Sequence, residues 1–478
     1  MSKKLPEDFF FGAAFSGPQT EGAYRLDGRL PNVWDLWSDE RIGDFYNRVG
    51  SYVGNDFYHR YEEDICLLKE LGLSSFRTSI QWSRLIDAEG HINEKGAAFY
   101  HRMFAFAKQQ GMEVFVNLYH FDMPAWLFKR GGWENRETVE AYANYAGLAF
   151  REFADEIRYW FTFNEPIVEP EQRYKEGLWY PFVKDMRRAA AVQYHISLAH
   201  SLAVERFRSL QDRGVIAGDV KIGLINNFAP PYTREDPSPA DLEALRMEDG
   251  FWNRWWLDLV AEGRLPQDVL DTLAEYGAAV PFRRGDTEIF SLGKVDWLGF
   301  NYYQPRRVQA PSTPRNEHTS FVFSEPYIWP GRKMNESRGW EIFPKGIYDF
   351  GLKLKKEYPS RCFFISENGI GIQDEGQFRG ADGRIADDYR KEFVNDHLWW
   401  VAKAIEEGAN CKGYHYWAVI DNWSWSNAFK NRYGFIEVML DHNYDRRKKQ
   451  SADWLMEVSR TRMVEDPKEI TALWTMVY

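Results

Sequence analysis

Two glutamates follow apolar, strand-like runs in different parts of the chain. Glu165 stands near the end of "YWFTFNEP" and Glu367 near the end of "CFFISENG". A carboxylate beside an apolar strand costs several kcal/mol to desolvate unless pairing or function compensates for it. Two such groups can cleave an acetal, one as a protonated acid and one as an ionised nucleophile, and a separation of about 5 Å gives retention of configuration. The alternative is that each glutamate only caps a helix or forms an ion pair.

Short apolar runs alternate with helical patterns along most of the chain. In residues 56–72, for example, Phe57, Tyr61, Ile65 and Leu68 mark one helical face, and Gly72 follows as a helix stop. Strands that alternate with helices form parallel βαβ units, and eight such units close into a barrel. The sequence therefore predicts an α/β fold, a single (β/α)8 TIM barrel domain over residues 1–478 with long βα loops near 167–190, 229–250 and 304–340. The eight predicted strand regions are 9–15, 75–82, 113–120, 159–166, 221–228, 296–303, 362–369 and 411–423.

In such a barrel the loops that follow the strands build the functional site. Glu165 at strand four and Glu367 at strand seven are three positions apart in a ring of eight, so their side chains can face each other across the mouth. This grouping favours chemistry over capping. The other side chains expected at the same end are Gln19, Arg77, His120, Asn164, Asn301, Tyr302 and Trp417.

Composition narrows the class of protein. A net charge of −11 argues against a general nucleic-acid or anionic-membrane surface. The aromatic content of 17% predicts that some rings line a ligand cleft in addition to filling the core. Cys66, Cys362 and Cys411 lack zinc-type spacing, no apolar run approaches the ~20 residues of a membrane span, and no signal peptide is indicated. We expect a cytoplasmic enzyme that needs no metal and no organic cofactor, because two carboxylates suffice for the chemistry.

The motifs that carry these residues resemble the family 1 glycoside hydrolases, over nearly the whole chain and in family order. They include "FFFGAAFSGPQTEGAY", "RTSIQWSRL", "NLYHFDMPAWL", "FTFNEP", "WLGFNYY" and "FISENGIGI". The resemblance implies that Glu165 is the general acid/base and Glu367 the nucleophile of a retaining β-glycosidase. Asn164 would contact the sugar 2-hydroxyl. Arg77 and Tyr302 would orient Glu367 and favour its ionised form, through an adjacent cation and a donated hydrogen bond.

By the same resemblance, Gln19, His120 and Trp417 would bind the glycone, the sugar that is cleaved off. Phe121 replaces the tryptophan often found after that histidine, and should preserve an aromatic wall. Trp340, in "SRGWEIFPKGIYD", resembles the aromatic platform of the aglycone site, although a core position is an equal alternative.

The segment "WSWSNAFKNRYG", residues 423–434, combines rings and positive charge without a carboxylate. In the general β-glucosidases of the family, a glutamate at the place of Ser424 accepts hydrogen bonds from the sugar 4- and 6-hydroxyls. A carboxylate would repel a phosphate dianion, whereas a serine can donate to it. The exchange of glutamate for serine therefore suggests a sugar 6-phosphate as the ligand. The alternative is that Ser424 is only a small residue that fills space.

The 6-phospho-β-glycosidase branch of the family has serine, lysine and tyrosine in this segment. Ser424 and Tyr433 match, but Asn431 stands at the place of the lysine. Either Lys430 or Arg432 supplies the charge, or phosphate binding is weaker than in relatives. For both cations the alternative is a solvated loop charge. Trp425 resembles the residue at the same place in the 6-phosphogalactosidases, whereas neighbouring motifs resemble the 6-phosphoglucosidases. The choice between a glucoside and a galactoside 6-phosphate is therefore left open.

Three hypotheses follow for the small-molecule carbohydrate ligand. The first is a retaining 6-phospho-β-glycosidase, acting on glucoside or galactoside 6-phosphates with a sugar or aryl aglycone. The second is a β-glycosidase of unphosphorylated sugars. The third is a non-catalytic sugar-phosphate sensor, against which the presence of both glutamates argues. The oligomeric state is not indicated by the sequence.

Overall fold

A computed structural model of the protein describes residues 1–312 and 322–467. Eight parallel strands close into a barrel in chain order, so that β8 lies beside β1, and the predicted (β/α)8 fold is confirmed. Each predicted run contains one strand, and every strand ends before its run does. The barrel strands are β1 Phe10–Ala14, β2 Ser75–Ser79, β3 Glu113–Asn117, β4 Tyr159–Asn164, β5 Lys221–Asn226, β6 Trp297–Asn301, β7 Cys362–Asn368 and β8 Cys411–Tyr416.

Amphipathic helices between the strands cover the outside of the barrel. The helix predicted over 56–72 forms over Phe57–Glu70, and Gly72 follows it with a left-handed φ of 78°, a conformation that glycine adopts without steric cost. Its buried residues include Phe57, Ile65 and Leu68, which face the core as the apolar spacing predicts. The other helices of eight residues or more are Val33–Arg41, Glu94–Gln109, Glu137–Glu152, Met186–Asp212, Pro239–Asp249, Trp255–Glu262, Gln267–Glu275, Lys345–Glu357, Asp388–Glu406 and Ser451–Thr461.

Aromatic rings fill the inside of the barrel. Phe10, Phe115 and Phe364, from β1, β3 and β7, meet with ring centroids 5.3 to 5.7 Å apart. Rings at such distances pack favourably beyond their buried area. This layer fills the barrel below the strand ends, and in this fold the functional site lies at the end where the strands finish.

The long connections form small sheets around that end of the barrel. The hairpin Lys333–Asn335 and Trp340–Ile342 lies in the 304–340 connection, and Ile372–Gln373 pairs with Asn431–Arg432. Residues 313–321 of the same connection lie outside the described residues. The remaining strands are Lys3–Lys4 with Met463–Val464, Ile436–Met439 with Asp445–Lys448, and the three-stranded set Pro231–Tyr232, Arg306–Gln309 and Glu325–Pro326.

Short helical turns follow several strands and carry site residues. Among the described residues no helix is long and apolar enough to cross a membrane. The short helices are Gly17–Thr20, Trp82–Leu85, Ala125–Lys129, Val168–Pro170 and Asp286–Ser291, and the 3-10 or π turns are Ile42–Asp44, Tyr46–Arg48, Gly132–Glu134, Glu171–Lys175, Gly250–Arg254, Glu375–Phe378 and Trp425–Asn427.

Candidate active site

A cavity of about 550 Å³ opens where the barrel strands end. Both glutamates, Glu165 and Glu367, line it. Asn164 and Arg77 lie buried against the carboxyl groups without being part of the cavity wall. The structure therefore brings most of the predicted site residues to one place. The other predicted residues that line the cavity are Gln19, His120, Phe121, Trp340, Trp417, Ser424, Trp425 and Tyr433.

A chain of hydrogen bonds joins the two carboxyl groups. Asn301 donates to Glu165 over 2.8 Å and to Asn164 Oδ1 over 3.1 Å. Arg77 donates to the same Asn164 oxygen over 2.7 Å and, through its other terminal nitrogen, to Glu367. Register produces this arrangement, because Glu367 in β7 pairs with Asn301, the last residue of β6. The two glutamates are thus held in one rigid network but contact different partners.

Glu165 is buried and lies beside a second carboxyl group. Desolvation, with the charge of Glu367 as the next cause, raises the pKa of Glu165 from its ordinary value to about 8. Its backbone adopts a left-handed φ of 47°, with its N–H bonded to the Ile225 carbonyl at 2.9 Å. A non-glycine residue in this region stores strain that the surrounding structure must hold, as often occurs at functional sites. A neutral Glu165 can donate a proton at neutral pH.

Glu367 contacts a cation and a phenol, and the phenol is not the predicted one. Tyr303 donates to Glu367 Oε2 over 2.5 Å, whereas Tyr302 donates over 2.7 Å to the Phe343 carbonyl. The prediction of Tyr302 as the orienting residue is wrong. Successive side chains at the end of β6 point to opposite sides, so Asn301 and Tyr303 point to the inside of the barrel, where Tyr303 lines the cavity, and Tyr302 points to the surrounding helices. Both contacts of Glu367 stabilise a negative charge on it.

Three residues predicted for glycone binding lie together on one side of the cavity. Gln19 donates to the Trp423 carbonyl over 2.9 Å and accepts from Ser16. The His120 and Trp417 rings lie 6.4 Å apart and nearly parallel. Burial, helped by the nearby Arg77 charge, lowers the pKa of His120 well below its ordinary value, so this imidazole is neutral. These groups offer hydrogen bonds and a ring wall without adding charge.

The 423–434 segment forms the next part of the cavity wall. Ser424 is buried, and its hydroxyl has no hydrogen-bond partner among the residues that the structure describes. Trp425 stacks on Trp34 with ring centroids 4.3 Å apart. Phe121 meets Trp425 edge-on at 5.6 Å, so it supplies the expected aromatic wall. The stacking fixes the Trp425 ring and leaves the Ser424 hydroxyl available to a ligand.

Lys430 and Arg432 do not reach this cavity. Both line a separate cavity of about 320 Å³, where Lys430 Nζ lies 5.9 Å from the centre of the Tyr46 ring and Arg432 lies 3.5 Å from Asp421. Alternation along the short strand Asn431–Arg432 sends neighbouring side chains to opposite sides. The structure therefore does not bring Lys430, which was predicted as a phosphate ligand, or the alternative Arg432 to the wall of the large cavity.

Asn431, which was also predicted as a phosphate ligand, is buried and is not part of the cavity wall. Its amide donates over 3.1 Å to the Ser337 carbonyl, in the turn of the Lys333–Asn335 and Trp340–Ile342 hairpin. Tyr433, two residues further along, does line the cavity. Asn431 thus contacts the turn of the hairpin.

The cavity wall also contains residues that the sequence did not predict. Tyr303 and Arg338 are two of them, and both lie beside the predicted Trp340. The Trp340 ring lies 5.3 Å from the Tyr303 ring, and the Arg338 guanidinium lies 4.2 Å over its face. Asn227 follows β5 directly, and Trp252 lies further along the same connection, in the π turn Gly250–Arg254 between two helices. Tyr303 could have been found by extending the alternation of β6 by two residues. No signal in the sequence pointed to Arg338 or Trp252.

Comparison with known proteins identifies the family. The family model described as Glycosyl hydrolase family 1 matches residues 1–464. The chain belongs to glycosyl hydrolase family 1, and the predicted family, fold and O-glycosyl hydrolase class are confirmed. Family 1 β-glucosidase from Thermotoga maritima has a similar structure, with a TM-score of 0.86, 31% identity and coverage of 97% of this chain and 100% of that chain.

Two curated relatives carry more specific names. The chain is 45% identical over 460 residues to the 6-phospho-beta-glucosidase GmuD of Bacillus subtilis (strain 168), covering 95% of this chain and 97% of that protein. It is 35% identical over 484 residues to the 6-phospho-beta-galactosidase of Leptotrichia buccalis, covering 97% of this chain and all of that protein. Both similarities extend over the barrel and its loops.

Proposed function

We propose that the protein hydrolyses 6-phospho-β-glycosides with retention of configuration and releases the hexose 6-phosphate. The observation that carries this proposal is the combination in one cavity of two glutamates and the free hydroxyl of Ser424, in a segment without a carboxylate. A carboxylate at that place would repel a phosphate, and a hydroxyl can donate to it. The names of the two curated relatives support the same substrate class.

In the proposed mechanism Glu367 attacks the anomeric carbon and Glu165 protonates the leaving oxygen. A covalent glycosyl-enzyme forms, and the aglycone departs with the proton of Glu165. Glu165, now ionised, takes a proton from water, which attacks the anomeric carbon and releases Glu367. The raised pKa of Glu165 suits the first step, since the acid is protonated at neutral pH.

The surrounding residues orient these two groups. Arg77 and Tyr303 hold one oxygen each of Glu367, which leaves the carboxylate in a single orientation. Asn301 fixes Glu165 through its hydrogen bond. We assign the contact with the sugar 2-hydroxyl to Asn164, whose amide oxygen accepts hydrogen bonds from Arg77 and Asn301.

We assign the sugar contacts as follows. Gln19, His120 and Trp417 bind the glycone hydroxyls, and Ser424 and Tyr433 bind the phosphate. Trp425 lies against the glycone, and Trp340 carries the aglycone. The stacking of Trp425 on Trp34 supports a fixed wall rather than a mobile one.

We also propose that residues 1–478 act as a single catalytic domain in the cytoplasm, without a metal or organic cofactor. The β8-to-β1 closure of the barrel and the pairing of Lys3–Lys4 with Met463–Val464 support one folded unit. Cys66, Cys362 and Cys411 are free thiols, which suits a reducing compartment.

Proton NMR during hydrolysis of an aryl 6-phospho-β-glucoside tests the proposal. The anomeric proton of the first product should be that of β-glucose 6-phosphate, with the α anomer appearing later by mutarotation. An α anomer formed first would contradict retention. Absence of any hydrolysis of either the glucoside or the galactoside 6-phosphate would contradict the proposed substrate class.

A further inference from the structure

Two arginines line the large cavity, and one of them is already neutralised. Arg306 lies 2.6 Å from Glu248 and 3.2 Å from Glu171, with its guanidinium 3.6 Å from the centre of the Trp252 ring. The Arg306 guanidinium is thus paired with two carboxylates and stacked on one aromatic ring. An anionic ligand would have to compete with both carboxylates, so Arg306 is a poor cation for the substrate.

Arg338 also lines this cavity, but unlike Arg306 it forms no ion pair with a carboxylate of the described residues. Its Nε is shielded from solvent and has no hydrogen-bond partner there. The guanidinium lies 4.2 Å over the Trp340 ring, which holds its plane but leaves the donors of its edge unused. A half-buried cation without a counter-ion is costly, and an anionic ligand would remove that cost.

The turn that carries Arg338 is fixed by three hydrogen bonds to neighbouring strands. Asn335 donates to the Gly371 carbonyl, the Gln373 N–H donates to Ser337 Oγ, and Asn431 donates to the Ser337 carbonyl, each over 3.1 Å. Arg338 is the next residue after Ser337. The backbone beneath the guanidinium is therefore held before a ligand arrives, which lowers the entropic cost of binding.

Arg338 lies close to the part of the wall formed by Tyr433. Burial raises the pKa of Tyr433, and among the charges that act on this phenol Arg338 is the largest, opposing that rise. The Tyr433 ring packs directly on Gly371, where an added Cβ would come within 2.4 Å of it. Arg338, Tyr433 and Ser424 all line the same cavity.

We propose that Arg338 is the cation that binds the 6-phosphate of the substrate, and that Asn431 positions it by holding the Ser337 carbonyl. The guanidinium can donate two parallel hydrogen bonds to phosphate oxygens, while Ser424 and Tyr433 donate their hydroxyls. This inference rests on the proposed function. Lys430 and Arg432 line another cavity. With Arg338 as the cation, the site can still bind a phosphate dianion.

The test compares kcat/KM for an aryl β-glucoside 6-phosphate with kcat/KM for the plain aryl β-glucoside. Wild type, Arg338→Met, Arg338→Lys and the matched control Lys430→Met are measured on the same two substrates. The ratio of the two values is unaffected by the fraction of folded enzyme, because that fraction enters both. We expect Arg338→Met to lower the ratio by about 10- to 100-fold, Arg338→Lys to lower it less, and Lys430→Met to leave it unchanged.

Inhibition by glucose 6-phosphate, measured against the plain aryl glucoside, gives an independent binding readout. Arg338→Met should raise the inhibition constant by about 10-fold or more. If wild type prefers the 6-phosphate and Arg338→Met keeps that preference within twofold, Arg338 is not the phosphate cation although the proposed function stands. If wild type prefers the plain glucoside, the proposed function fails and this inference fails with it.

Discussion

Tyr303 donates a hydrogen bond of 2.5 Å to Glu367, on the oxygen that Arg77 does not contact. One carboxylate oxygen thus meets a guanidinium and the other a phenol. Both contacts stabilise the negative charge of the proposed nucleophile and fix its plane. The neighbouring phenol, Tyr302, faces away from the cavity and bonds to the Phe343 carbonyl.

This pair of tyrosines offers a matched test of the Glu367 contacts. Tyr303→Phe should lower kcat/KM by about 10- to 100-fold, because one donor to a charged group is lost. Tyr302→Phe removes a neutral hydrogen bond to the Phe343 carbonyl, which involves neither glutamate side chain, and should cost about 1 kcal/mol of stability with little change in kcat/KM. Kinetics and thermal unfolding of both variants check this. Equal kinetic effects from the two substitutions would contradict the assignment.

Removal of the nucleophile should abolish turnover. In Glu367→Ala the first step has no attacking group, and kcat should fall by about 10⁴-fold or more. Azide is small enough to enter the space left by the side chain and should restore hydrolysis of an activated aryl substrate. The measurement is aryl release with and without azide. Undiminished activity of Glu367→Ala without azide would remove Glu367 from the mechanism.

The pH dependence should reflect the protonated state of Glu165. Burial and the Glu367 charge raise its pKa to about 8, so the acid remains protonated at neutral pH. Because the active form carries this proton, kcat/KM should decline as the pH rises through the pKa of Glu165. In Glu165→Gln the alkaline decline should disappear, and substrates whose leaving groups need no proton should lose least. An unchanged alkaline limb in Glu165→Gln would assign that titration to another group.

Ser424 should control the preference for phosphorylated substrates. Ser424→Glu places a carboxylate against the proposed phosphate site, and repulsion with loss of the donor should lower the ratio of kcat/KM for 6-phospho over plain glycosides by about 10- to 100-fold. Steady-state kinetics on both substrate types measures it. A ratio equal to that of wild type would place the phosphate elsewhere.

The sequence predicted the barrel well because its strands are apolar runs that end in polar residues, and alternation with helices leaves few topologies. Those strand ends predicted the positions of Glu165, Glu367 and Asn301. Tyr302 was chosen in error because two tyrosines are adjacent in the sequence. In a strand, adjacent side chains point to opposite sides, so only one of the two can face the site. Counting from the inward Asn301 would have chosen Tyr303.

The residues proposed to bind the phosphate were less predictable because they lie in loops. Lys430 lies next to a tight turn in which Trp425 and Ala428 have positive φ, and no periodic pattern showed which way the chain leaves it. Arg338 lies in a long connection, and it reaches the cavity through a hairpin that bonds to strands far away in the chain. Such contacts between distant loops have no local signal.

The most direct test of the account is the kcat/KM of the wild-type protein for four aryl β-glycosides, namely the glucoside, the galactoside and their 6-phosphates. We expect kcat/KM for at least one 6-phosphate to exceed that for its plain counterpart by about tenfold or more, since a charge-assisted phosphate contact is worth roughly 1.5–3 kcal/mol. The better epimer would show which sugar the Trp425 wall accepts. Higher kcat/KM for both plain sugars would contradict the account and indicate a β-glycosidase of unphosphorylated substrates.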